Sequence, residues 1–187
     1  MTPAQQSFLA PIARGCLEWE ASTTLPFKRI ISTLTVCQAP LENGWTGSVL
    51  SRPPVNNWGG VKHHLPEWPG YSTATREVIQ GQNQIVKGAF QTYPTVTDYV
   101  ADHAKVLLDW ACVRNSLGIG LQAACDALGP WTEADRQNVK DGHPELSQHS
   151  NYSTDPTYGP TLFRIAVECG LTDTTALERL AGEAGAG

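Results

Sequence analysis

The sequence lacks a long hydrophobic run and has little positive charge. None of its 187 residues belongs to a stretch that approaches the roughly 18 consecutive apolar side chains of a membrane-spanning helix, so no membrane insertion is expected. Lysine and arginine number 13 against 18 aspartates and glutamates, which gives a net charge of −5, and the basic residues form no dense cluster. Nucleic acid is therefore not an expected partner.

Signal-peptide and disulfide patterns are also missing. The opening segment "MTPAQQSFLAPIARG" has neither the basic n-region nor the apolar h-region of a signal peptide, so we expect synthesis in the cytoplasm and any export by another route. The five cysteines form no CxxC pair. An odd number of cysteines without an export signal favours free thiols that pack in the core.

Metal-ligand spacing is absent from the sequence as well. The five histidines form no HExxH pattern, and His63 and His64 are neighbours on a predicted loop, which argues against a zinc hydrolase. A Cys-His peptidase is a second alternative, but no cysteine has a recognisable nucleophile context. We therefore predict neither a metal site nor a cofactor.

Helical patterning is present toward both ends of the chain. One helix is predicted from Pro3 to about Glu20 and another from about Pro26, whose apolar residues fall on one core-facing stripe. Asn43 and Gly44 should end this second helix, because both residue types tolerate the left-handed conformation.

More helices are predicted after residue 95. Their expected N-caps are Thr97, Thr132 and Asp155, with Pro156 in the first helical position after Asp155. Asp135 would complete a capping box with Thr132. The stretch "SLGIGLQAACDALGP" continues the helical pattern up to its final Gly-Pro.

A different composition separates the two helical parts. Residues 45–93 are rich in Gly, Pro, Asn, Ser and Thr, and "STATREVIQ" and "NQIVKGAF" flank Gly81 as a predicted β-hairpin. The chain length favours a single domain over residues 1–187, with a frayed tail at about 181–187. We predict a mostly helical α+β fold with a small β-lobe over about 45–93 and a groove between two lobes.

Glu42 is an unusual residue for the last turn of a buried helix. The unpaired carbonyls of a helix C-terminus carry partial negative charge, and partial burial under Trp45 would further disfavour the carboxylate. Both effects raise the pKa of a carboxyl, which is what a general acid needs near neutral pH. The alternative is a solvated glutamate at a fraying helix end.

Five short motifs belong together, because their order and spacing along the chain resemble those of one family. They are "QAPLENGWTGS" around Glu42, "NNWGGVK" (56–62), "TREVIQG" (75–81), "FQTYPTVTDYVADHAKVL" (90–107) and "YSTDPTYGPTLFRIA" (152–166). The first resembles the Gln-Ala-x-Leu-Glu-Ser-Gly-Trp-Gly-x-Ser signature of the bacterial glucosaminidase family, glycoside hydrolase family 73, and the other four resemble later motifs of that family. The resemblance covers roughly residues 27 to 170.

This resemblance implies a lysozyme-like fold and hydrolysis of β-1,4 bonds in the peptidoglycan glycan strand by an endo-β-N-acetylglucosaminidase. N-acetylmuramidase specificity and a non-catalytic peptidoglycan-binding module are the alternatives. The implied place of action is the cell wall, in the periplasm or outside the cell, and we expect a monomer. Without a predicted signal peptide, a phage enzyme or a secreted effector fits, which leaves open an immunity protein or a delivery machinery as partner.

The resemblance also assigns roles to individual residues. Glu42 matches the catalytic acid, Glu77 a second acidic residue on the hairpin, and Tyr152 a tyrosine beside the scissile sugar. Each has a structural alternative: a solvated helix end, a hairpin surface residue, and a packing or capping aromatic. The residues expected to line the groove or contact the glycan are Trp45, Asn57, Trp58, Lys62 and Tyr93, with a core position as the equal alternative for the three aromatic residues.

Departures from the family pattern bear on subsite shape and bond specificity. Pro40 lies within the catalytic helix, where it should remove one backbone hydrogen bond and kink the segment. Asn43, Thr46 and Val78 replace the usual serine, glycine and aromatic residue. The stretch 112–149 matches no motif of the family.

Overall fold

The protein is mostly helical, with one two-stranded antiparallel sheet. The computed structural model describes residues 1–79 and 82–183, apart from the side chains of residues 76–79, 83 and 183. Its elements are α1 (Pro3–Ser22), α2 (Lys28–Asn43), β1 (Gly70–Ile79), β2 (Gln82–Gln91), α3 (Val96–Asp109), α4 (Ala111–Leu117), α5 (Leu121–Asp126), α6 (Glu133–Lys140), a 3-10 turn (Pro144–Leu146), α7 (Tyr158–Glu168) and α8 (Ala176–Glu183).

The centre of the helical part is α2. It packs against α1, α3, α5 and α7, so every residue from Ile31 to Pro40 is buried. The predicted single apolar stripe is therefore too narrow a description, since polar residues of this helix are buried as well. Thr33 and Thr35 satisfy their hydroxyls by donating to the carbonyls of Arg29 and Ile31, each at 2.9 Å.

The two strands form the predicted hairpin, in a register that pairs Gly70 with Gln91 and Ile79 with Gln82. Its tip, residues 80–81, is outside the described part of the chain. The base of the hairpin is joined to the loop before it: the Gln91 N–H donates to the Val61 carbonyl at 2.9 Å, and Lys62 pairs with Phe90 as an isolated bridge. The predicted β-lobe thus consists of an irregular loop and a hairpin that are joined by backbone hydrogen bonds.

Two of the three predicted helix starts are wrong. The N-cap of α3 is Thr95, where a capping box with Asp98 satisfies the first N–H groups. Asp155 does not cap α7; its carboxylate accepts the N–H and Oγ1 of Thr157 at 2.8 Å, which makes a turn that delays the helix to Tyr158. The predicted Thr132–Asp135 capping box is present at α6.

The helical pattern predicted over "SLGIGLQAACDALGP" is interrupted in the structure. The chain leaves α4 after Leu117 and enters α5 at Leu121, with Gly120 at φ +143, a conformation that L side chains rarely adopt. At the other end of the chain, residues 181–183 belong to α8 instead of a frayed tail, and 184–187 lie outside the described residues. Arg29 ties α8 to the body through a 2.7 Å ion pair with Glu178.

All five cysteines are buried free thiols, as predicted. Burial raises the pKa of the Cys125 thiol to about 12, so it packs as a small neutral side chain. Within the part of the chain that the structure describes, each helix is too short or too polar to cross a bilayer.

Close packing of α7 on α5 requires a glycine. A Cβ at Gly159 would lie 2.7 Å from the Cys125 carbonyl oxygen and 3.0 Å from the Asp126 Cα, both backbone atoms, whereas a Cβ at Gly182 in α8 would meet nothing within 4 Å.

We expect Gly159→Ala to lower the free energy of unfolding by about 1–3 kcal/mol, the usual range for overpacking. Gly182→Ala should raise it by about 0.5–1 kcal/mol, because alanine is the better helix former. Urea unfolding followed by circular dichroism measures both. An equal gain in stability from the two substitutions would contradict the packing described for α7.

Candidate functional site

Glu42 lies on the last turn of α2, at the mouth of a pocket between α2, the loop after it and the start of α7. The helix continues through Pro40 and ends where Gly44 adopts φ +65, as predicted. Asn43 fixes this end: its side-chain amide donates to the carbonyls of Ala39 and Trp58, and its Oδ1 accepts a hydrogen bond from Ser48 at 2.5 Å. The end of α2 is therefore bonded to the loop that forms the facing wall.

The carboxyl of Glu42 has one partner from the far end of the chain. The hydroxyl of Tyr158, the first residue of α7, donates to Glu42 Oε1 at 2.7 Å. The amide of Gln38, one turn before Glu42 on α2, donates to the same Tyr158 hydroxyl at 3.0 Å. This chain of hydrogen bonds fixes the rotamer of Glu42 in the direction of the pocket.

Desolvation raises the pKa of Glu42, and the hydrogen bond from Tyr158 opposes that shift without cancelling it. The residue as a whole is exposed, but protein atoms crowd its carboxyl, which is the group that titrates. Burial also raises the pKa of Tyr152 and Tyr158 far above the ordinary tyrosine value, so both remain neutral hydroxyls.

The pocket has a volume of about 440 Å³ and is lined by Leu41, Glu42, Gly59, Tyr152, Ser153, Asp155 and Tyr158. Its floor at Gly59 excludes a side chain, since a Cβ there would lie 2.6 Å from the Tyr99 hydroxyl. The pKa of Asp155 is shifted in the opposite direction from that of Glu42, because hydrogen bonds from Thr157 lower it. The pocket therefore combines a carboxyl that resists ionisation with one that favours it.

Tyr152 lines the same pocket, and its place beside the scissile sugar stays a prediction. Its ring is half-buried and lies 5.8 Å from the ring of Tyr158, at an interplanar angle of 40°. The preceding Asn151 adopts φ +57, which turns the chain sharply before Tyr152. Glu42 and Tyr152 thus come together from segments that are 110 positions apart in the sequence.

The two predicted groove tryptophans both pack on one side chain of α1. The Phe8 ring lies 6.3 Å from that of Trp45 and 5.3 Å from that of Trp58. Trp45 is half-buried and lies three positions after Glu42 in the sequence. Trp58 is 6% exposed, so its predicted stacking on a sugar is corrected to a packing role beneath the loop.

Asn57 and Tyr93 are also structural. Asn57 is completely buried and bonds to the backbone of Val61 and Gln91, which joins the loop to the hairpin. Tyr93 is 1% exposed and donates to Asp102 at 2.7 Å. Their predicted contact with the glycan is wrong in this structure, because neither presents a surface. Lys62 is exposed, with its ammonium 4.4 Å from the centre of the Phe90 ring.

The predicted second acid, Glu77, has a described backbone that pairs with Gln84 in the hairpin. Its side chain lies outside the described residues, so its catalytic role stays a prediction. Among the side chains that the structure does describe, no three histidines, cysteines, aspartates or glutamates group closely enough to hold a metal ion.

Sequence reasoning missed Tyr158 and Gln38, the two residues that orient Glu42. A signal was available for both. Gln38 is four positions before Glu42, which places the two on one helix face. Tyr158 occurs within the motif already singled out for Tyr152, and its hydroxyl needs a partner when it is buried.

A model of the glucosaminidase family, described as mannosyl-glycoprotein endo-beta-N-acetylglucosaminidase, matches residues 25–171. Among relatives of known sequence, the autolysin of Enterococcus faecalis is 26% identical over 91% of this chain and 21% of its own length. The exo-glucosaminidase LytG of Bacillus subtilis is 29% identical over 77% of the chain and 46% of LytG. A probable N-acetylmuramidase of Lactococcus lactis is 30% identical over 75% of the chain and 29% of that protein. The chain thus spans less than half the length of each of these relatives.

Solved structures show the same fold. The catalytic domain of the autolysin Auto from Listeria monocytogenes has a TM-score of 0.57 at 20% identity and covers 93% of this chain and 89% of that domain. The glycoside hydrolase domain of FlgJ from Salmonella typhimurium, in a C-terminally truncated form, has a TM-score of 0.56 at 21% identity over 89% and 97%. The predicted mostly helical α+β fold with a small hairpin is confirmed.

The Tyr158 hydrogen bond makes a prediction about the titration of Glu42. Because that bond lowers the pKa of Glu42 against the effect of burial, Tyr158→Phe should raise the pKa further. Carbon-13 NMR of the Glu42 side-chain carboxyl carbon measures it. Tyr71→Phe is the matched control, since Tyr71 lies on β1 and does not line the pocket. A lower pKa in Tyr158→Phe would refute the assignment of this bond.

Proposed function

Because the chain belongs to the glucosaminidase family of glycoside hydrolases, we propose that it hydrolyses β-1,4 bonds in the glycan strand of peptidoglycan, after N-acetylglucosamine. The observation that carries the proposal is the position of Glu42: a carboxyl with a raised pKa at the mouth of a pocket, held in place by Tyr158. The cell wall is then the place of action, as the names of the autolysin relatives suggest.

Glu42 serves as the general acid in this proposal. A glycosidic oxygen is a poor leaving group until it is protonated, and a carboxyl that keeps its proton at higher pH can donate one as the bond breaks. The Tyr158 hydroxyl on Oε1 leaves Oε2 as the oxygen that turns toward the substrate. After bond cleavage the same hydrogen bond stabilises the carboxylate that Glu42 becomes.

An ionised group near the sugar would stabilise the positive charge that develops on the ring. Asp155 is suited to this, because it lines the pocket and its pKa is lowered by hydrogen bonds from Thr157. Glu77 remains the candidate that the family motif supports. Tyr152 supplies a neutral hydroxyl and an aromatic ring to the same pocket.

The pocket volume of about 440 Å³ is within the usual range for small-ligand sites, roughly 300–1,000 Å³. A peptidoglycan strand is much longer than this pocket, so the strand must extend past it along the protein surface. Of the predicted glycan contacts, Lys62 is exposed and Trp45 is half-exposed, so these two can contact such a strand.

N-acetylmuramidase activity is the second candidate function. The supporting observation is that the relatives differ in name: one is an exo-glucosaminidase, while the relatives from Lactococcus lactis are probable N-acetylmuramidases. Both activities need the same acid and differ in which sugar occupies the subsite before the scissile bond. A binding module without turnover is the third candidate, and a productive digest removes it.

We expect Glu42→Gln to reduce the release of muropeptides from purified peptidoglycan by at least about 10²-fold, because glutamine keeps the size of the side chain but has no acidic proton. Glu168→Gln is the matched control, since Glu168 also ends a helix but is exposed and paired with Arg164. Mass spectrometry of the products identifies the sugar at the new reducing end. N-acetylglucosamine there supports the proposal, and N-acetylmuramic acid supports the second candidate. Near-normal activity of Glu42→Gln would overturn both.

The raised pKa of Glu42 also predicts the direction of the pH dependence. A general acid is active in its protonated form, so turnover should fall as pH rises through the pKa of Glu42. This descending limb should lie above the ordinary glutamic acid value of about 4.3. Tyr158→Phe should move it to higher pH, in parallel with the NMR titration. A limb that stays in place when the pKa of Glu42 moves would assign it to another group.

A further inference from the structure

We propose that Asp135, on α6, is a positioning residue that holds segment 147–153 so that Tyr152 faces the Glu42 pocket. Asp135 lies in the stretch of the chain that resembles no motif of the family. The proposal rests on the hydrolase function proposed above, because the importance of Tyr152 depends on it. In this proposal α6 supports the site from outside, since it contributes no residue to the Glu42 pocket.

Asp135 uses both carboxylate oxygens, although it is only 1% exposed. Oδ2 accepts the N–H of Thr132 at 2.9 Å, its hydroxyl at 2.7 Å and a ring nitrogen of His149 at 2.8 Å. Oδ1 accepts the N–H of Gln148 at 2.6 Å. The Ser147 hydroxyl also donates to the Asp135 backbone carbonyl, at 3.4 Å. One buried carboxylate thus binds the cap of its own helix and the start of the segment that leads to Tyr152.

The rest of that segment is bonded to the turn after α5. The N–H groups of Ser150, Asn151 and Ser153 donate to the carbonyls of residues 127, 129 and 128, at 2.8, 3.0 and 3.2 Å. The Asn151 side chain accepts the N–H of Trp131 at 3.3 Å. Tyr152 itself is held by a bond from its N–H to the Ser150 hydroxyl at 3.1 Å, and its own hydroxyl bonds to the side chains of Gln38 and Tyr158. The side-chain bonds can form only where residues 147–151 place the Tyr152 backbone, so the position of Tyr152 depends on that segment as well as on Gln38 and Tyr158.

The carboxylate form of Asp135 is needed for this arrangement. Burial would raise the pKa of Asp135, but the hydrogen bonds from Thr132, Gln148 and His149 lower it well below the ordinary value. Every group that approaches the two oxygens is a donor or can act as one. An asparagine would place an N–H₂ against one of these donors and lose a bond to either the cap or the segment.

The chain contains a matched control for the capping role. Asp98 in α3 forms the same box with Thr95, accepting its N–H at 3.0 Å and its hydroxyl at 2.7 Å. Asp98 has no bonds to a distant segment among those described, whereas Asp135 also reaches Gln148 and His149. Asp98→Asn therefore disturbs a carboxylate that serves a cap alone, whereas Asp135→Asn disturbs one that serves both a cap and the anchor of segment 147–153.

The first measurement is a double-mutant cycle with Tyr152→Phe, using soluble glycan strands as substrate. We expect Asp135→Asn to lower kcat by about 10- to 10²-fold with little change in KM, since misplacement of about 1 Å can cost that much. In the Tyr152→Phe background the same substitution should have little further effect. Asp98→Asn should leave kcat unchanged. Equal losses from Asp135→Asn in both backgrounds, or equal losses from Asp98→Asn, would overturn the proposal.

The second measurement does not depend on activity. Hydrogen–deuterium exchange of the folded protein should become faster in the peptide that contains residues 147–153 when Asp135 is changed to Asn, and not when Asp98 is. His149→Ala is a milder variant that keeps the helix cap, for use if Asp135→Asn does not fold, and it should accelerate the same peptide. Unchanged exchange of that peptide in His149→Ala and Asp135→Asn would overturn the anchoring.

The two proposals fail in different ways. If Glu42→Gln kept full activity while exchange in 147–153 still responded to Asp135, the hydrolase mechanism would fall and the anchor would stand. If Glu42→Gln were inactive while the effect of Asp135→Asn was the same with and without Tyr152, the anchor would lose its catalytic meaning and the hydrolase would stand.

Discussion

The hydrogen bond from Tyr158 to Glu42 is the contact on which the site depends. It joins the last turn of α2 to the first residue of α7, two elements separated by 116 positions in the chain. The bond can form because α2 is surrounded by other helices and α7 packs closely on α5, where Gly159 permits backbone contact. Packing in the helical core therefore sets the position of a carboxyl at the surface of the pocket, and the core and the site cannot be treated as separate features.

This arrangement disfavours the ionised form of Glu42. A carboxyl on the last turn of a helix, crowded by protein atoms, loses hydration and faces the negative end of the helix dipole. Buried polar side chains around it bond within and between elements: Thr33 and Thr35 of α2 bond to their own helix, and Asn57 bonds the loop to the hairpin. Such a supporting shell keeps Glu42 aimed at the pocket although its environment disfavours the ionised form.

Residues 112–149 show how a stretch without family motifs can still serve the site. They contribute no side chain to the pocket, yet the carbonyls of residues 127–129 and the carboxylate of Asp135 hold the segment that contains Tyr152. Variation in such a stretch can alter the site without altering its motifs, because a loop is positioned by whatever its backbone bonds to.

The sequence by itself determined that both ends of the chain are helical, that a hairpin lies between them, that α2 ends at Gly44 and that the cysteines are buried. Its motifs singled out Glu42 and Tyr152. All of these follow from periodicity, glycine conformation and short motifs, which are local properties. The sequence misplaced two helix starts, because Thr95 caps α3 in place of Thr97, and Asp155 forms a turn with Thr157 instead of capping α7. It also assigned Asn57, Trp58 and Tyr93 to the glycan, because aromatic and amide side chains look alike in a sequence whether they line a groove or a core. Only the tertiary structure decided which of them are buried, which hydroxyl meets Glu42, and that Asp135 reaches segment 147–153. These depend on contacts between residues far apart in the chain, and such contacts leave no periodic trace in a single sequence.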